Sequence, residues 1–491
     1  MCLLNEDILR QIVYFISSET LASINSTHPV FYEAWMKSRY ATLTLAKRDE
    51  EMKRLLAHLR ESSAAMHVKQ VEIRPWLVQP RTKSPRSLTE NLVVRFLQLL
   101  DPHYTKKKAE QRLQKRLRKD TANVTAAFQQ MINVEQYTIE WDDDLPYHPE
   151  FYKAFLTPAL ETWSSQLVVL KIKVPPFILS SLARVRLPKL EEFTFHFSTG
   201  ILSFNDIDNA HDGFVVFVNN LKDSLRSLTF TSTHTSQELD MTRIFRKMGY
   251  FPSLKKVTLS IPFDGAHLSD PMTFVLFLEK HRTTLKDLNL FAGRCTPRSK
   301  PGDPEFINWI QRIIGSPHTP FPQLRGLGVA LRPLRAPLDV LIQFLDMHSS
   351  TLDSLTLTDR VLNASELRRL FRSVVSGQAL AVAEGITNLQ VRIDAFSASF
   401  LASMAGLFPN LKTLKIECQQ VLIDNPRLRE SAYRQRDISP FSANLSEIRD
   451  SIAGWDLQHL AIGPKESHWA RAIEEDLLDY FPNLTVSDFD S

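Results

Sequence analysis

Glycine is scarce in this sequence. There are 14 among 491 residues, about 3% against a usual ~7%. Phosphate-cradling loops and nucleophile elbows depend on glycine, and G-x-G-x-x-G, the Walker loop and G-x-S-x-G are all absent. The pair Gly326–Gly328 has Leu331 where a third glycine would be required. Cysteine is scarcer still: Cys2, Cys295 and Cys418 are an odd number set far apart. They support neither a disulfide framework nor a thiolate metal site, and a reducing compartment is expected. The 14 histidines show no H-E-x-x-H or Cys/His ligand spacing. No apolar run reaches the ~18 residues of a membrane span. The start, Met1 to Asp7, is acidic where a secretory leader would be basic. No catalytic residue, metal site, cofactor or membrane association is expected, and the chain is read as a non-enzyme of the cytoplasm, the nucleus or both.

Charge is nearly balanced, with 59 basic and 55 acidic residues giving a net +4. Its placement is not. Lys106, Lys107, Lys108, Arg112, Lys115, Arg116, Arg118 and Lys119 lie in one stretch with Glu110 as its only acid. That stretch carries +7 and leaves the rest at −3. A dedicated nucleic-acid binder would have a broad basic face, so a nucleic-acid partner is not expected. The stretch reads as part of a flexible basic insertion at about 78–121, with Gln79–Pro85 as linker. A localisation signal or phosphate-binding arm is its functional alternative. Asp142-Asp143-Asp144 reads as a surface loop.

What the chain has in quantity is a repeat. The pattern L-x-x-[LVF]-x-[LIVF] recurs nine times, beginning at Leu167, Leu190, Leu225, Leu254, Leu285, Leu324, Leu352, Leu411 and Leu457. Weaker copies begin at Val68, Val134 and Ile386. Phe-Pro-x-Leu occurs at Phe251, Phe321, Phe408 and Phe481, where about 0.2 chance matches are expected in such a composition. Proline-led copies alternate with copies led by small or polar residues such as Arg282-Thr283-Thr284 and Ser349-Ser350-Thr351, so the repeating unit reads as a pair. Apolar residues at helical spacing lie between the triplets, as in Leu338-Leu341-Ile342-Leu345.

A short strand, a turn, a helix and a return every ~30 residues is similar to a leucine-rich-repeat solenoid, an α/β fold. Such repeats usually place Asn or Cys three residues after the triplet. Here those positions hold residues such as Pro262, Gly293, Arg332 and Arg360, so the repeats read as degenerate and uneven.

The first forty residues differ. Leu4, Ile8, Leu9, Ile12, Val13 and Ile16 form one helical stripe; Leu21–Ser26 and Val30–Arg39 read as two more helices. The acidic start, I-L-x-x-I and an aromatic-bearing third helix resemble an F-box, with Leu4-Asn5 where that family usually has Leu-Pro. The resemblance implies docking onto a Skp-type adaptor of a cullin–RING ubiquitin ligase through Leu4, Glu6, Ile8, Leu9, Ile12, Leu21, Ile24, Val30, Phe31 and Trp35. The domain reading is an F-box at 1–40 and a solenoid at 41–491. The expected function is the substrate-recognition subunit of a Skp–cullin–F-box ligase. The alternative is a non-ligase repeat scaffold whose N-terminal helices only cap the array.

Strand side chains alternate, which places Lys171, Glu192, Thr194, Thr229, Lys256, Thr258, Asp287, Asn289, Thr356, Lys415 and His459 on one open, polar face. That face is the expected site for a protein substrate of unknown identity.

Overall fold

The computed structural model describes residues 5–46, 49–61, 63–74, 96, 103–140, 155–174, 179–197, 204–233, 236, 239–263, 265–293, 309–316, 319–332, 334, 338–371, 381–421, 444–463, 476–481 and 483–487. Leu4, the Gln79–Pro85 linker and Asp142–Asp144 lie outside them. The chain forms two compact units, Met1–Leu225 and Arg226–Ser491.

The first unit opens with three helices, α1 (Glu6–Val13), α2 (Ser18–Ile24) and α3 (Pro29–Tyr40). Each starts at a side-chain cap that accepts an otherwise unpaired backbone amide. The Asn5 side chain accepts from Asp7 N at 3.2 Å, Ser17 Oγ from Thr20 N at 3.2 Å and His28 Nδ1 from Val30 N at 3.2 Å. Asn5 therefore supplies a helix start where proline is absent. Then follow β1 (Thr42–Leu45), α4 (Glu50–Glu61), a 3-10 turn (Ser63–His67), β2 (Gln70–Ile73), α5 (Tyr104–Phe128), β3 (Gln136–Glu140), α6 (Thr157–Thr162), β4 (Val169–Val174), α7 (Leu179–Leu182), β5 (Glu192–Phe197) and α8 (Phe204–Asn219).

β1 to β5 pair in chain order, every pair parallel. The second positions of the triplets stand in register as Val71, Tyr137, Leu170 and Phe193, and the third as Ile73, Ile139, Ile172 and Phe195. All eight are buried. Tyr137, Phe128, Phe155 and Trp163 form an aromatic core, with Trp163 4.9 Å from both Phe128 and Tyr137.

The second unit continues the same grammar. Its strands are β6 (Ser227–Ser232), β7 (Lys256–Pro262), β8 (Asp287–Gly293), β9 (Gly326–Ala330), β10 (Ser354–Thr358), β11 (Asn388–Phe396), β12 (Thr413–Val421), β13 (His459–Gly463) and β14 (Thr485–Ser487). Between them lie α9 (Thr242–Lys247), α10 (Pro271–Lys280), α11 (Trp309–Gly315), α12 (Asp339–Met347), α13 (Ala364–Leu370), α14 (Ala381–Gly385), α15 (Ala398–Leu407) and α16 (Arg449–Ile452). Neighbouring strands pair in parallel and in chain order. Leu228, Val257, Leu288, Leu327, Leu355, Leu389, Leu414 and Leu460 form one buried rung line. Each unit is thus an open parallel α/β ladder with one strand per repeat. The weak triplets at Val68, Val134 and Ile386 are strands as regular as the clear ones.

Strands begin by a shared device. Two successive amides donate to one carbonyl of the repeat before: Lys286 N and Asp287 N to Lys255 O, Arg325 N and Gly326 N to Lys286 O, Asp353 N and Ser354 N to Arg325 O. The same pairing ties Lys69 and Gln70 to Ala41 O in the first unit.

The alternation of copies has a physical basis in two kinds of turn. Phe-Pro-x-Leu is a β-turn with proline at its second position: Leu254 N donates to Phe251 O at 3.1 Å, Leu324 N to Phe321 O at 3.2 Å and Leu411 N to Phe408 O at 3.2 Å. The other copies close over one residue more, Leu285 N to His281 O and Leu352 N to His348 O, both at 3.0 Å. His281 and His348 then tie each second turn to the first. His281 Nε2 accepts from Phe251 N at 2.9 Å, and His348 Nε2 accepts from Phe321 N at 2.9 Å. Trp455 Nε1 donates to Phe408 O at 3.0 Å, and Trp163 Nε1 to Met131 O at 2.7 Å. These buried side chains satisfy backbone groups between repeats, the task that Asn or Cys performs elsewhere in the standard pattern.

The basic stretch corrects the expectation of a flexible insertion over its latter part. Residues 104–128 form the continuous helix α5. Ala109, Leu113, Leu117 and Val124 follow at steps of four, four and seven residues, one helical face, and are buried, and α5 packs against α4. The one-turn spacing of Leu113 and Leu117 in the sequence is part of the stripe of an amphipathic helix.

Candidate partner-binding surfaces

The three N-terminal helices divide the expected adaptor-binding residues into two groups. Leu9, Leu21 and Val30 are buried. With the equally buried Met36 and Tyr40 they belong to the interior of this segment. Glu6 and Ile8 are exposed, and Ile12, Ile24, Phe31 and Trp35 are half-buried. Trp35 lies under the Arg39 guanidinium at 5.1 Å from the ring centre.

Sequence periodicity missed the two large apolar side chains most exposed among the described residues. Tyr14 and Phe15, just past the end of α1, are 87% and 89% exposed, and Ile8 is 45% exposed. They fall outside the i, i+3, i+4 stripe, and that departure was the available signal. This aromatic pair therefore contributes little to the core of the segment.

The open face of the strands holds every expected substrate residue in two lines. In the first unit Glu72, Thr138, Lys171 and Thr194 stand in register, with Glu192 in the adjacent line. In the second, Thr229, Thr258, Asn289, Gly328, Thr356, Gln390 and Lys415 stand in register. Their neighbours are Ser227, Lys256, Asp287, Gly326, Ser354, Asn388, Thr413 and His459. None of the eleven residues expected here is buried.

Glycine interrupts this polar face at β9 for a steric reason. A Cβ at Gly326 would collide with the Asp287 carboxylate; one at Gly328 would collide with the Asn289 side chain and stand 2.8 Å from Phe291 Cζ. The side chains of β8 lean over β9 into the space the glycines leave. Asn289 Nδ2 also donates to Thr258 Oγ1 at 3.1 Å. At the strand starts, burial raises the pKa of Asp353; Arg325 draws it down and Asp287 pushes it up. Farther along, Arg392 pairs with Glu417 at 2.7 Å across β11 and β12, and in the first unit Arg74 pairs with Glu72 at 2.8 Å and Glu140 at 3.4 Å. Exposed pairs of this kind contribute roughly 0–1 kcal/mol each, so they order the face more than they hold the fold.

Among the described residues no group of three His, Cys, Asp or Glu side chains is placed to hold a metal ion, and no helix is long and apolar enough to cross a membrane. Cys418 is buried, its thiol pushed up to about 11 by desolvation, and donates to Gly463 O at 3.3 Å. No family model matches the chain, and no curated protein is similar to it in sequence.

Proposed function

We propose that this chain is the substrate-recognition subunit of a Skp–cullin–F-box ubiquitin ligase, an F-box followed by degenerate leucine-rich repeats. The observation that carries the reading is the exposed Ile8, Tyr14 and Phe15 on a small helical segment that has its own core and leads straight into a repeat ladder. Burying one such aromatic side chain against a partner contributes about 1.5–3 kcal/mol. Ile12, Ile24, Phe31 and Trp35 add apolar area around them.

In this role the protein performs no bond chemistry. The helices hold the adaptor, the open strand face holds a protein substrate, and the substrate's effective concentration at the ubiquitin-charged enzyme rises. Lys171, Glu192, Lys256, Asp287, Lys415 and His459 offer both signs of charge, which suits a folded or peptide partner more than a lipid or a polyanion.

Co-precipitation of the full chain with a Skp-type adaptor tests the proposal. The wild type brings the adaptor down, and Ile8→Asp/Phe15→Asp abolishes the interaction while leaving thermal stability unchanged. A wild type that fails to retain the adaptor, or a double variant that retains it fully, sinks the reading.

A further inference from the structure

The basic face of α5 is unused by the proposed function, and its geometry sets limits on what it holds. Arg112, Lys115, Arg116 and Lys119 are spaced three and four residues apart, which puts them on one stripe of the helix. Arg112, Lys115 and Lys119 are exposed and Arg116 is half-buried. None of the four has an ion-pair partner among the described residues. Like charges at these spacings repel one another, so with no acidic partner among the described residues the stripe favours an anion laid along it.

Beside the stripe runs a shallow cleft between α4 and α5. Met52, Leu56 and Val124 line its floor, and Lys53 and Arg60 line its rim. Asn123, one turn beyond Lys119, accepts from Arg60 Nη1 at 3.4 Å. Asp120 also lines the cleft and has a contact of its own. An anion on the stripe therefore meets an apolar floor at its end.

We propose that this surface docks an acidic peptide segment that carries an apolar residue beside its carboxylates. Arg112 to Lys119 spans seven rises, roughly 10 Å, which three to four residues of extended chain cover at ~3.3 Å each. A polynucleotide fits less well. Its sequence-independent grip on a protein typically rests on about 6–10 phosphate contacts, more than the four cations of this stripe provide, and Lys106–Lys108 lie a turn or more before it. The stripe has no aromatic ring for base stacking, and the rest of the chain carries −3, which repels a long polyanion.

The test uses the full chain and a fluorescent peptide of four acidic residues followed by leucine, read by anisotropy at 50 and 150 mM salt. Arg112→Gln/Lys115→Gln/Lys119→Gln keeps good helix formers and weakens binding about 10- to 100-fold. Replacing the peptide's leucine by serine weakens it about 3- to 10-fold. Arg112→Lys/Arg116→Lys preserves the charge and retains binding, which separates lost charge from lost folding. Three results overturn the proposal: no binding at 50 mM salt, equal binding by the triple glutamine variant, or displacement of the peptide by a twenty-nucleotide single strand at 150 mM salt. No adaptor enters the measurement, so its outcome is independent of the ligase reading.

Discussion

Lowering the pH from 7.5 to 5.5 acts on two buried side chains whose hydrogen bonds demand neutrality. His281 Nε2 accepts the Phe251 amide, so its proton sits on Nδ1, which donates to Phe277 O at 2.7 Å. His348 has the same arrangement with Phe321 and Phe344, the latter at 2.8 Å. A second proton would put an N–H against an amide N–H in a site closed to water. Burial lowers both pKa values from the ordinary 6.5; the Phe277 and Phe344 carbonyls partly oppose it, and Lys280 lowers His281 further. The unfolded chain binds a proton near pH 6.5, so below that pH it holds more protons than the folded chain. The stabilisation is complete above about pH 6.5 and is lost as the pH falls toward the depressed folded values. A histidine that stays neutral at pH 5.5 forfeits about 1.4 kcal/mol there, and two forfeit ~3 kcal/mol.

Other groups titrate over the same range, so the measurement is a difference. Urea unfolding is followed by tryptophan fluorescence at both pH values for the wild type and for His281→Leu/His348→Leu. Leucine is the natural occupant of the corresponding position at Leu221, whose carbonyl accepts from Leu225 N at 3.1 Å. At pH 7.5 the variant is less stable by about 1–3 kcal/mol per site, because the Phe251 and Phe321 amides lose their acceptors. On acidification it loses less than the wild type, by up to ~3 kcal/mol if both histidines stay neutral. Equal losses in the two proteins would refute the reasoning.

Three further outcomes follow. Leu9→Asp buries a carboxylate in the helical core and unfolds the N-terminal segment, read as new protease cleavage within residues 5–40, whereas Phe15→Asp leaves the digestion pattern unchanged. Trp163→Phe keeps the ring packing, leaves the Met131 carbonyl without its donor and lowers unfolding free energy by about 1–3 kcal/mol, measured by urea titration. Cys418, with its thiol near 11, reacts with iodoacetamide at pH 8 at least ~10-fold more slowly in the native chain than in the denatured one.

The ladder was legible because its signal is local and repeated. Each triplet fixes which side chains turn inward, and register follows once Leu228, Val257 and Leu288 are aligned. The alternation of proline-led and polar-led copies was legible too, yet its cause was not. A search for Asn or Cys looks three residues after the triplet; His281 and His348 sit four residues before it, and Trp163 takes the same place with different chemistry. The apolar stripe of the N-terminal helices reads as one face, since helical spacing alone does not tell Leu9, buried in the segment, from Ile8, open to water. In α5 the count of cations outweighs Ala109, Leu113, Leu117 and Val124, four apolar side chains on one helical face.

The paired turns bear on how such a chain changes length. Removing one repeat after Phe251 would bring two like turns together and strand a histidine without the amide it binds. Removing two, from one Phe-Pro turn to the next, restores every tie, since Phe251 and Phe321 are bound in the same way. Viable insertions and deletions in this part of the array should therefore come in blocks of about seventy residues, and single-repeat changes should be confined to places where the histidine position is already held by leucine.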